Sequence, residues 1–156
     1  MSGDSKITDI ILFTDGGCHG NPGPGAWAWR AVSPDDSVLH DETGYAAQTT
    51  NNRMELMAVI EALTWVRDHS AADRIVIRTD SQYVRQGITA WIYRWKQNGW
   101  LTAGKKPVKN ADLWRDLDRL NETVAPQWDW VRGHAGNEHN EACDEAVQRE
   151  IRANRG

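Results

Sequence analysis

The sequence predicts a single α/β domain in which a mixed β-sheet packs against α-helices. Two patterns carry this prediction: three strand-like segments come first in the chain, and helical and strand-like segments alternate after them. Length is the third observation, because 156 residues with 40% hydrophobic content suffice for one buried core and are few for two. We therefore expect one domain over residues 1–156, with an ordered core at about 7–150.

The first third of the chain predicts an antiparallel meander. Residues 9–15 form an apolar, β-rich run that ends in the carboxylate of Asp15, and Gly16-Gly17 stops the strand there. Residues 20–25 predict a turn-rich loop, because proline fixes the backbone and glycine admits positive φ. Two further strands are expected at residues 26–32 and 37–45.

Helices dominate the remainder of the chain. Apolar residues recur at helical spacing from Asn52 to about His69, with Thr50 or Asn51 available as the N-cap. A second strand-then-aspartate pattern ends at Asp80 and leads into a helix that Asn98-Gly99 breaks. The remaining elements are a strand at 74–80, helices from Ser81 to Lys96 and from an Asn110 cap to Leu120, a strand at 127–132 and a helix at 138–152.

Charge is unevenly distributed along the sequence. The net charge of −4 argues at first against a polyanionic partner. Residues 83–111, however, contain no Asp or Glu and carry a charge of +6, which leaves −10 on the rest of the chain. One segment is therefore basic and the remainder acidic.

Several classes of protein are excluded by composition. No apolar run approaches the roughly 20 residues that span a bilayer, and the N-terminal residues lack the pattern of a signal peptide. Cys18 and Cys143 form no CxxC pair, so neither a disulfide nor a zinc site is indicated. We expect a cytoplasmic protein, and a monomer without an obligate protein partner because no surplus apolar stripe demands one.

Four carboxylates are candidates for a metal site. Asp15 and Asp80 each end a buried strand, and ligands of open α/β sheets sit at the carboxyl ends of strands. Glu55 and Asp144 lie on helices beside apolar residues. Semi-buried carboxylates need compensation, and oxygen-only ligands suit Mg²⁺ or Mn²⁺. Two such ions can stabilise both oxygens of a phosphodiester cleavage.

Each of these carboxylates also has an ordinary structural explanation. Asp15 suits a turn and Asp80 an N-cap, while Glu55 and Asp144 suit solvated positions on their helices. For any one residue taken alone that explanation is the commoner one. Spacing alone does not establish that the four converge.

Several ordered motifs run through the chain from Ile10 to Val147. The first is Thr14-Asp15-Gly16-Gly17-Cys18 with Gly20-Asn21-Pro22-Gly23-Pro24-Gly25. The others are Thr49-Thr50-Asn51-Asn52-Arg53-Met54-Glu55-Leu56, Thr79-Asp80-Ser81-Gln82-Tyr83-Val84, Gly99-Trp100, Lys105-Lys106-Pro107-Val108-Lys109-Asn110, Trp130-Val131-Arg132-Gly133-His134-Ala135-Gly136 and Cys143-Asp144-Glu145. Together these motifs resemble those of bacterial ribonuclease H of type 1. The sequence departs from that family's pattern at Gly17, at residues 26–29 and at Glu138-His139.

The resemblance implies a five-stranded mixed sheet, three strands antiparallel and then parallel strands, with helices on both faces and a basic protrusion at about residues 91–110. It also implies an endonuclease that cuts the RNA strand of RNA–DNA hybrids and leaves 5′-phosphate and 3′-hydroxyl ends. Asp15, Glu55, Asp80 and Asp144 would bind two Mg²⁺, with Mn²⁺ able to substitute. His134 would assist through proton handling or product release, although a lone histidine in a polar loop is usually an inert surface residue.

Substrate contacts follow from the same resemblance. Short polar side chains would read the minor groove of the hybrid, and the basic segment would grip DNA phosphates. Asn51 and Asn52 could instead cap the helix, and core packing is an equal alternative for the two tryptophans. The residues concerned are Cys18, Asn21, Asn51, Asn52, Gln82, Trp91, Trp95, Lys105, Lys106 and Lys109.

Two rival functions remain open at this point. One is a hybrid-binding module that has kept the fold and lost the chemistry. The other is a different nuclease or strand-transfer enzyme on the same architecture, since a fold does not determine a function. The four carboxylates and His134 argue against the first, and the minor-groove amides with the basic segment argue against the second.

Overall fold

The computed structural model describes residues 9–131 and 137–154. Within these ranges five strands form one sheet in the order β3-β2-β1-β4-β5. Strands β1, β2 and β3 pair antiparallel, whereas β4 pairs parallel with β1 and β5 pairs parallel with β4. The predicted mixed sheet is therefore confirmed. The strands are β1 (Asp9–Cys18), β2 (Gly23–Val32), β3 (Val38–Thr49), β4 (Arg74–Thr79) and β5 (Gln127–Trp130).

Five α-helices accompany the sheet: α1 (Asn51–His69), α2 (Gln82–Gln86), α3 (Ile92–Gln97), α4 (Ala111–Val124) and α5 (Glu138–Asn154). A π-helical segment, Gly87–Trp91, joins α2 directly to α3. Gly87 faces Trp114 of α4 so closely that an added Cβ would lie 1.9 Å from its ring. In the described part of the chain, no helix is long and apolar enough to cross a membrane.

The helices pack on both faces of the sheet, as predicted. Alternate residues of β1 point to opposite faces, so Leu12 and Phe13 enter different cores. Leu12 lies in the larger core with apolar residues of α1 and α4, and Phe13 lies in a smaller core with residues of α5. The central strand is thus covered on both sides, and a carboxylate at its end is partly shielded from water.

Strand β1 continues beyond Asp15, so the prediction that it stops there is wrong. Asp15 pairs with Ala28, and Cys18 pairs with Gly25 of β2. The parallel pairing with β4 ends earlier, at Phe13. Continued antiparallel pairing satisfies the backbone of the two glycines after Asp15, which is why they do not end the strand. The predicted loop at residues 20–25 shortens accordingly, because β2 begins at Gly23.

The N-caps of α1, α2 and α4 can be compared with those expected from the sequence. Thr50 caps α1, since its Oγ1 accepts a hydrogen bond from the Arg53 amide at 3.2 Å. Ser81, not Asp80, caps α2 by accepting from the Val84 amide at 3.1 Å. Asn110 precedes α4 with a positive φ of 62°, but its side chain makes no capping bond. The expected side-chain cap at Asn110 is therefore wrong.

Candidate active site

Three of the four predicted carboxylates meet at one edge of the sheet. One oxygen atom each from Asp15, Glu55 and Asp80 lies within 4.8 Å of the other two. Asp15 belongs to β1, Glu55 to the first turns of α1, and Asp80 directly follows β4. Three separate elements thus deliver three carboxylates to a single point.

Close contact between β1 and α1 brings Glu55 to Asp15. A Cβ atom added to Gly16 would lie 2.3 Å from the carbonyl carbon of Met54 and 2.5 Å from the amide nitrogen of Glu55. Real side chains do not tolerate such distances, so only glycine lets the helix approach the strand this closely. The glycine after Asp15 is therefore a packing requirement of the site.

A capped turn places Asp80. The Ser81 amide donates to Thr79 Oγ1 at 3.2 Å, and the Ser81 hydroxyl accepts from the amide of Val84. Thr79 and Ser81 are both buried, so these bonds hold the chain on either side of Asp80. The half-buried Asp80 carboxylate leaves β4 where the parallel pairing with β1 has already ended.

Glu55 is a buried member of this group. Glu55 is only 9% exposed. Its Oε2 atom is buried and has no hydrogen-bond partner within the described residues. Burial, followed by the charges of Asp15 and Asp80, raises the pKa of Glu55 well above its ordinary value. A positive charge close to Glu55 would lower its pKa again, because it would stabilise the ionised carboxylate.

The group fits a hard divalent cation. All of its ligand atoms are carboxylate oxygens, which suit Mg²⁺ or Mn²⁺ better than softer metals. The buried Oε2 atom of Glu55 has an unused lone pair, and three clustered negative charges call for a cation. The arrangement can therefore hold a divalent metal.

Asp144 lies on α5. Its carboxylate oxygens do not lie within 4.8 Å of the oxygens of all three other carboxylates. Its neighbour Cys143 is buried, and the Cys143 thiol is 3.7 Å from the Phe13 carbonyl of β1. Burial, with the nearby Asp15 charge, raises the pKa of that thiol to about 12. Asp144 therefore sits next to the contact between α5 and β1, and its part in the site stays a prediction. His134 lies outside the described residues.

Comparison with known proteins identifies the family. Residues 7–152 match the family model of RNase H. The chain belongs to the ribonuclease H family. It is 51% identical to the ribonuclease H of Treponema denticola, over 87% of this chain and 92% of that protein. It is 49% identical to the ribonuclease H of Escherichia coli strain E2348/69, over 91% of this chain and 88% of that protein.

Solved structures of ribonucleases H share the fold. LC9-RNase H1, a type 1 RNase H with the type 2 active-site motif, superposes with a TM-score of 0.81 at 31% identity, covering 96% of this chain and 75% of that one. LC11-RNase H1, solved in complex with an RNA/DNA hybrid, superposes with a TM-score of 0.71 at 24% identity, covering 94% and 99% of the two chains. The ribonuclease H family requires a divalent metal, which agrees with the carboxylate group.

The polar residues predicted to touch substrate lie in segments that adjoin the three carboxylates along the chain. Asn21 Oδ1 accepts from the Asn51 amide at 3.0 Å and from the Cys18 thiol at 3.6 Å, which ties the loop after β1 to the start of α1. Asn52 is half-buried on α1, one turn or less from Glu55. Gln82 is exposed at the first position of α2, two residues after Asp80.

Residues 98–110 of the basic segment form the loop between α3 and α4. Leu101 pairs with Pro107, and the Thr102 amide donates to the Lys106 carbonyl at 2.7 Å. Val108 is buried and anchors the loop, whereas Lys105, Lys106 and Lys109 are exposed. Lys96 differs from these three, because its ammonium group lies 2.9 Å from Glu122 and 3.3 Å from Asp118 of α4.

Two tryptophans of this segment, Trp91 and Trp95, lie near Trp114 of α4 and differ in burial. Trp114 is completely buried, and its indole NH donates to the Tyr83 hydroxyl at 2.9 Å. Trp95 packs 5.4 Å from Trp114 and is half-buried. Trp91 is 37% exposed and, with Arg94 and Trp95, lines a surface groove of about 480 Å³. Trp95 is thus at the root of the segment, and Trp91 is the more accessible ring.

Two polar links near the site were not assigned a role from the sequence. Arg53 forms a two-pronged ion pair with Asp112 of α4, at 2.9 and 3.1 Å, and also donates to Asn110. His19, in the loop after β1, is bonded to Gln148 of α5 at 2.9 Å. Arg53 belongs to the motif at residues 49–56. Its partners lie about 60 residues further along the chain, so the local sequence does not predict them.

Proposed function

We propose that this chain hydrolyses the RNA strand of RNA–DNA hybrids with divalent metal ions held at the carboxylate group. The observation that carries the proposal is the convergence of Asp15, Glu55 and Asp80 within 4.8 Å in a chain of the ribonuclease H family. Relatives named ribonuclease H match most of its length at about half identity. A ribonuclease H of the same fold has been solved with an RNA/DNA hybrid.

Asp15, Glu55, Asp80 and Asp144 are the proposed ligands of two Mg²⁺ ions, for which Mn²⁺ can substitute. When bound, such ions promote attack by water and stabilise the attacking and leaving oxygens of a phosphodiester. The oxygen-only ligand set and the partnerless Oε2 of Glu55 support this assignment. The P–O3′ bond breaks, which leaves a 5′-phosphate and a 3′-hydroxyl.

The chain itself supplies a rigid frame for the reaction. Asp15 sits on a strand covered by helices on both faces, and Gly16 holds Glu55 against it. Little reorganisation is then needed when substrate binds, because the carboxylates are already placed. We assign proton handling or product release to His134.

Substrate selection is proposed for residues on either side of the carboxylates. The Asn21 amide nitrogen, Asn51, Asn52 and Gln82 offer donors and acceptors suited to ribose hydroxyls in a minor groove. Cys18, the last residue of β1, donates a hydrogen bond to the Asn21 side chain. Lys105, Lys106 and Lys109 would contact DNA phosphates, which their exposure supports, and the adjacent rings of Trp91 and Trp95 would offer an aromatic surface.

One cleavage assay tests the proposal. End-labelled RNA–DNA hybrid, duplex DNA and duplex RNA are incubated with the protein in Mg²⁺, in Mn²⁺ and in EDTA. Cutting of the RNA strand in the hybrid alone, lost in EDTA, is expected. Cutting of another duplex would favour a different nuclease, and metal-independent hybrid binding without cutting would favour a binding module.

Asp→Asn variants locate the chemistry. Asp15→Asn and Asp80→Asn should each lower cleavage by more than about 100-fold, since removing even a group that orients a metal ligand costs 10- to 100-fold. The matched control is Asp116→Asn, an exposed aspartate on α4 beside Arg119, which should cleave normally. Wild-type cleavage by Asp15→Asn would refute the assignment.

We also propose that the protein is a cytoplasmic monomer without an obligate partner. Among the described residues, three of the four exposed large hydrophobic side chains lie in or beside the basic segment, where substrate would cover them: Trp91, Tyr93 and Leu101. Light scattering on a size-exclusion column tests this, and a stable dimer at micromolar concentration would contradict it.

A further inference from the structure

His139 links α5 to three other parts of the fold. It lies in the first turn of α5 and is only 5% exposed. Its Nδ1 atom is 3.2 Å from the Arg30 guanidinium on β2, and its Nε2 atom is 2.7 Å from Asp36 Oδ1 in the turn between β2 and β3. The ring also packs against Phe13 of β1, with 5.1 Å between ring centroids.

The Arg30 contact determines which ring nitrogen carries the proton. A guanidinium can only donate, so Nδ1 of His139 must accept and Nε2 carries the hydrogen. The Nε2–H group then donates to Asp36. Asp36, Glu138 and His139 are close enough to resemble a metal site, but the Nε2 lone pair is occupied by that proton. The group therefore serves as a structural link.

Asp144 lies between two such links. His139 is five residues before it, and Gln148, which is bonded to His19 in the loop after β1, is four residues after it. The start of α5 is itself fixed, because Asn137 Oδ1 accepts from the amides of His139 and Asn140 at 3.0 Å. An α-helix rises about 1.5 Å per residue, so both links act within roughly 8 Å of Asp144 along the helix.

We propose that His139 is a positioning residue that sets how closely Asp144 on α5 approaches Asp15 on β1, and thereby the affinity of the site for divalent metal. The inference rests on the proposed metal site. Phe13, against which the His139 ring packs, is two residues before Asp15 on the same strand. Moving α5 at His139 would therefore change the distance between the two carboxylates.

Two substitutions at the same position separate positioning from packing. In His139→Gln one amide still offers an acceptor to Arg30 and a donor to Asp36, whereas His139→Leu keeps apolar contact with Phe13 and loses both bonds. Mg²⁺ affinity is measured by calorimetry without substrate and by the Mg²⁺ concentration that gives half-maximal cleavage. His139→Leu should weaken Mg²⁺ binding about 10-fold or more, and His139→Gln should stay within about 3-fold of wild type.

A destabilised control shows whether stability alone explains the result. Val66→Ala removes buried methyl groups near the end of α1, away from α5, and should lower the melting temperature without changing Mg²⁺ affinity. Equal Mg²⁺ affinity in His139→Leu and wild type, or an equal loss in Val66→Ala, would overturn the proposal. Should His139→Leu fail to fold, Asp36→Ala removes only the exposed partner of Nε2 and must shift Mg²⁺ affinity in the same direction.

Failure of the proposed function would look different. If the wild-type protein binds Mg²⁺ but does not cleave hybrids, the nuclease assignment is refuted. The calorimetric comparison of the His139 variants still tests the positioning role in that case, because it does not depend on cleavage. Wild-type protein that cleaves hybrids, with His139→Leu matching its Mg²⁺ affinity, would refute the positioning role alone.

Discussion

Gly16 and Glu55 are in backbone contact, because a Cβ atom on Gly16 would lie 2.5 Å from the Glu55 amide nitrogen. Gly16→Ala should therefore push α1 away from β1 and carry Glu55 away from Asp15. Overpacking of a tight core costs about 1–3 kcal/mol, and here the neighbour is rigid backbone. We expect a lower urea midpoint together with strongly reduced hybrid cleavage.

The neighbouring glycine is the matched control. A Cβ atom on Gly17 would meet Val147 at 3.5 Å and Asn51 at 3.8 Å, which are ordinary contacts. Gly17→Ala should keep the wild-type urea midpoint and most of the activity. If both variants behave alike, the close approach at Gly16 is not what places Glu55.

Glu55 should make the stability of the metal-free protein fall as pH rises. Its pKa is raised in the folded state by burial first and by Asp15 and Asp80 next, so the folded chain holds that proton more tightly than the unfolded chain. The unfolding free energy then decreases with pH from the ordinary value of 4.5 up through the folded pKa. Glu55→Gln should remove this decrease and be the more stable protein above that range.

Denaturation in EDTA across a pH series measures this effect. Glu141→Gln, at an exposed position on α5, should retain the wild-type pH profile. Added Mg²⁺ should stabilise the wild type more than Glu55→Gln, because binding to the folded state alone raises stability. A Glu55→Gln profile parallel to that of the wild type would show that Glu55 does not titrate abnormally.

The exposed lysines should control the salt dependence of hybrid binding. Neutralising Lys105, Lys106 and Lys109 to glutamine should reduce the slope of log affinity against log salt by about 0.9 per lost phosphate contact. Fluorescence anisotropy with a labelled hybrid in Ca²⁺ or EDTA gives that slope. Lys96→Gln is the control. Because Lys96 is already paired with Asp118 and Glu122, this substitution should leave the slope unchanged.

The tryptophans should separate binding from folding. Trp114→Ala removes a completely buried ring and should cost about 3–5 kcal/mol of stability. Trp91→Ala should cost less stability than Trp114→Ala, because its ring is 37% exposed. It should weaken hybrid binding by about 1–3 kcal/mol, because a stacked base loses its partner. Urea unfolding measures the loss of stability, and anisotropy measures the loss of hybrid binding. Unchanged hybrid binding by Trp91→Ala would show that Trp91 contributes to packing and not to substrate binding.

Local sequence was sufficient for the identity and order of the main elements. Apolar, β-rich runs predicted the strands, and apolar residues at helical spacing predicted α1 and α4, since these patterns report which residues are buried. The predicted end of β1 at Asp15 is wrong because Gly16 and Gly17 pair with β2 and continue the strand. Pairing with β2, a partner distant in sequence, decides where β1 ends.

The site required the tertiary structure. By sequence alone Asp15, Glu55 and Asp80 are three acidic residues on three elements, each with an ordinary local explanation, and only the family resemblance tied them together. Their approach depends on sheet order and on the absence of a Cβ atom at Gly16.

Long-range polar links were likewise invisible in the sequence. Arg53 with Asp112, His139 with Arg30 and Asp36, and Lys96 with Glu122 each join residues at least 26 positions apart. Sequence by itself determined the family, the elements and the residues able to bind metal, because these are properties of local pattern and chemistry. Tertiary structure alone decided which carboxylates meet, which lysines stay exposed and what holds α5, because these depend on distances between elements that no local pattern encodes.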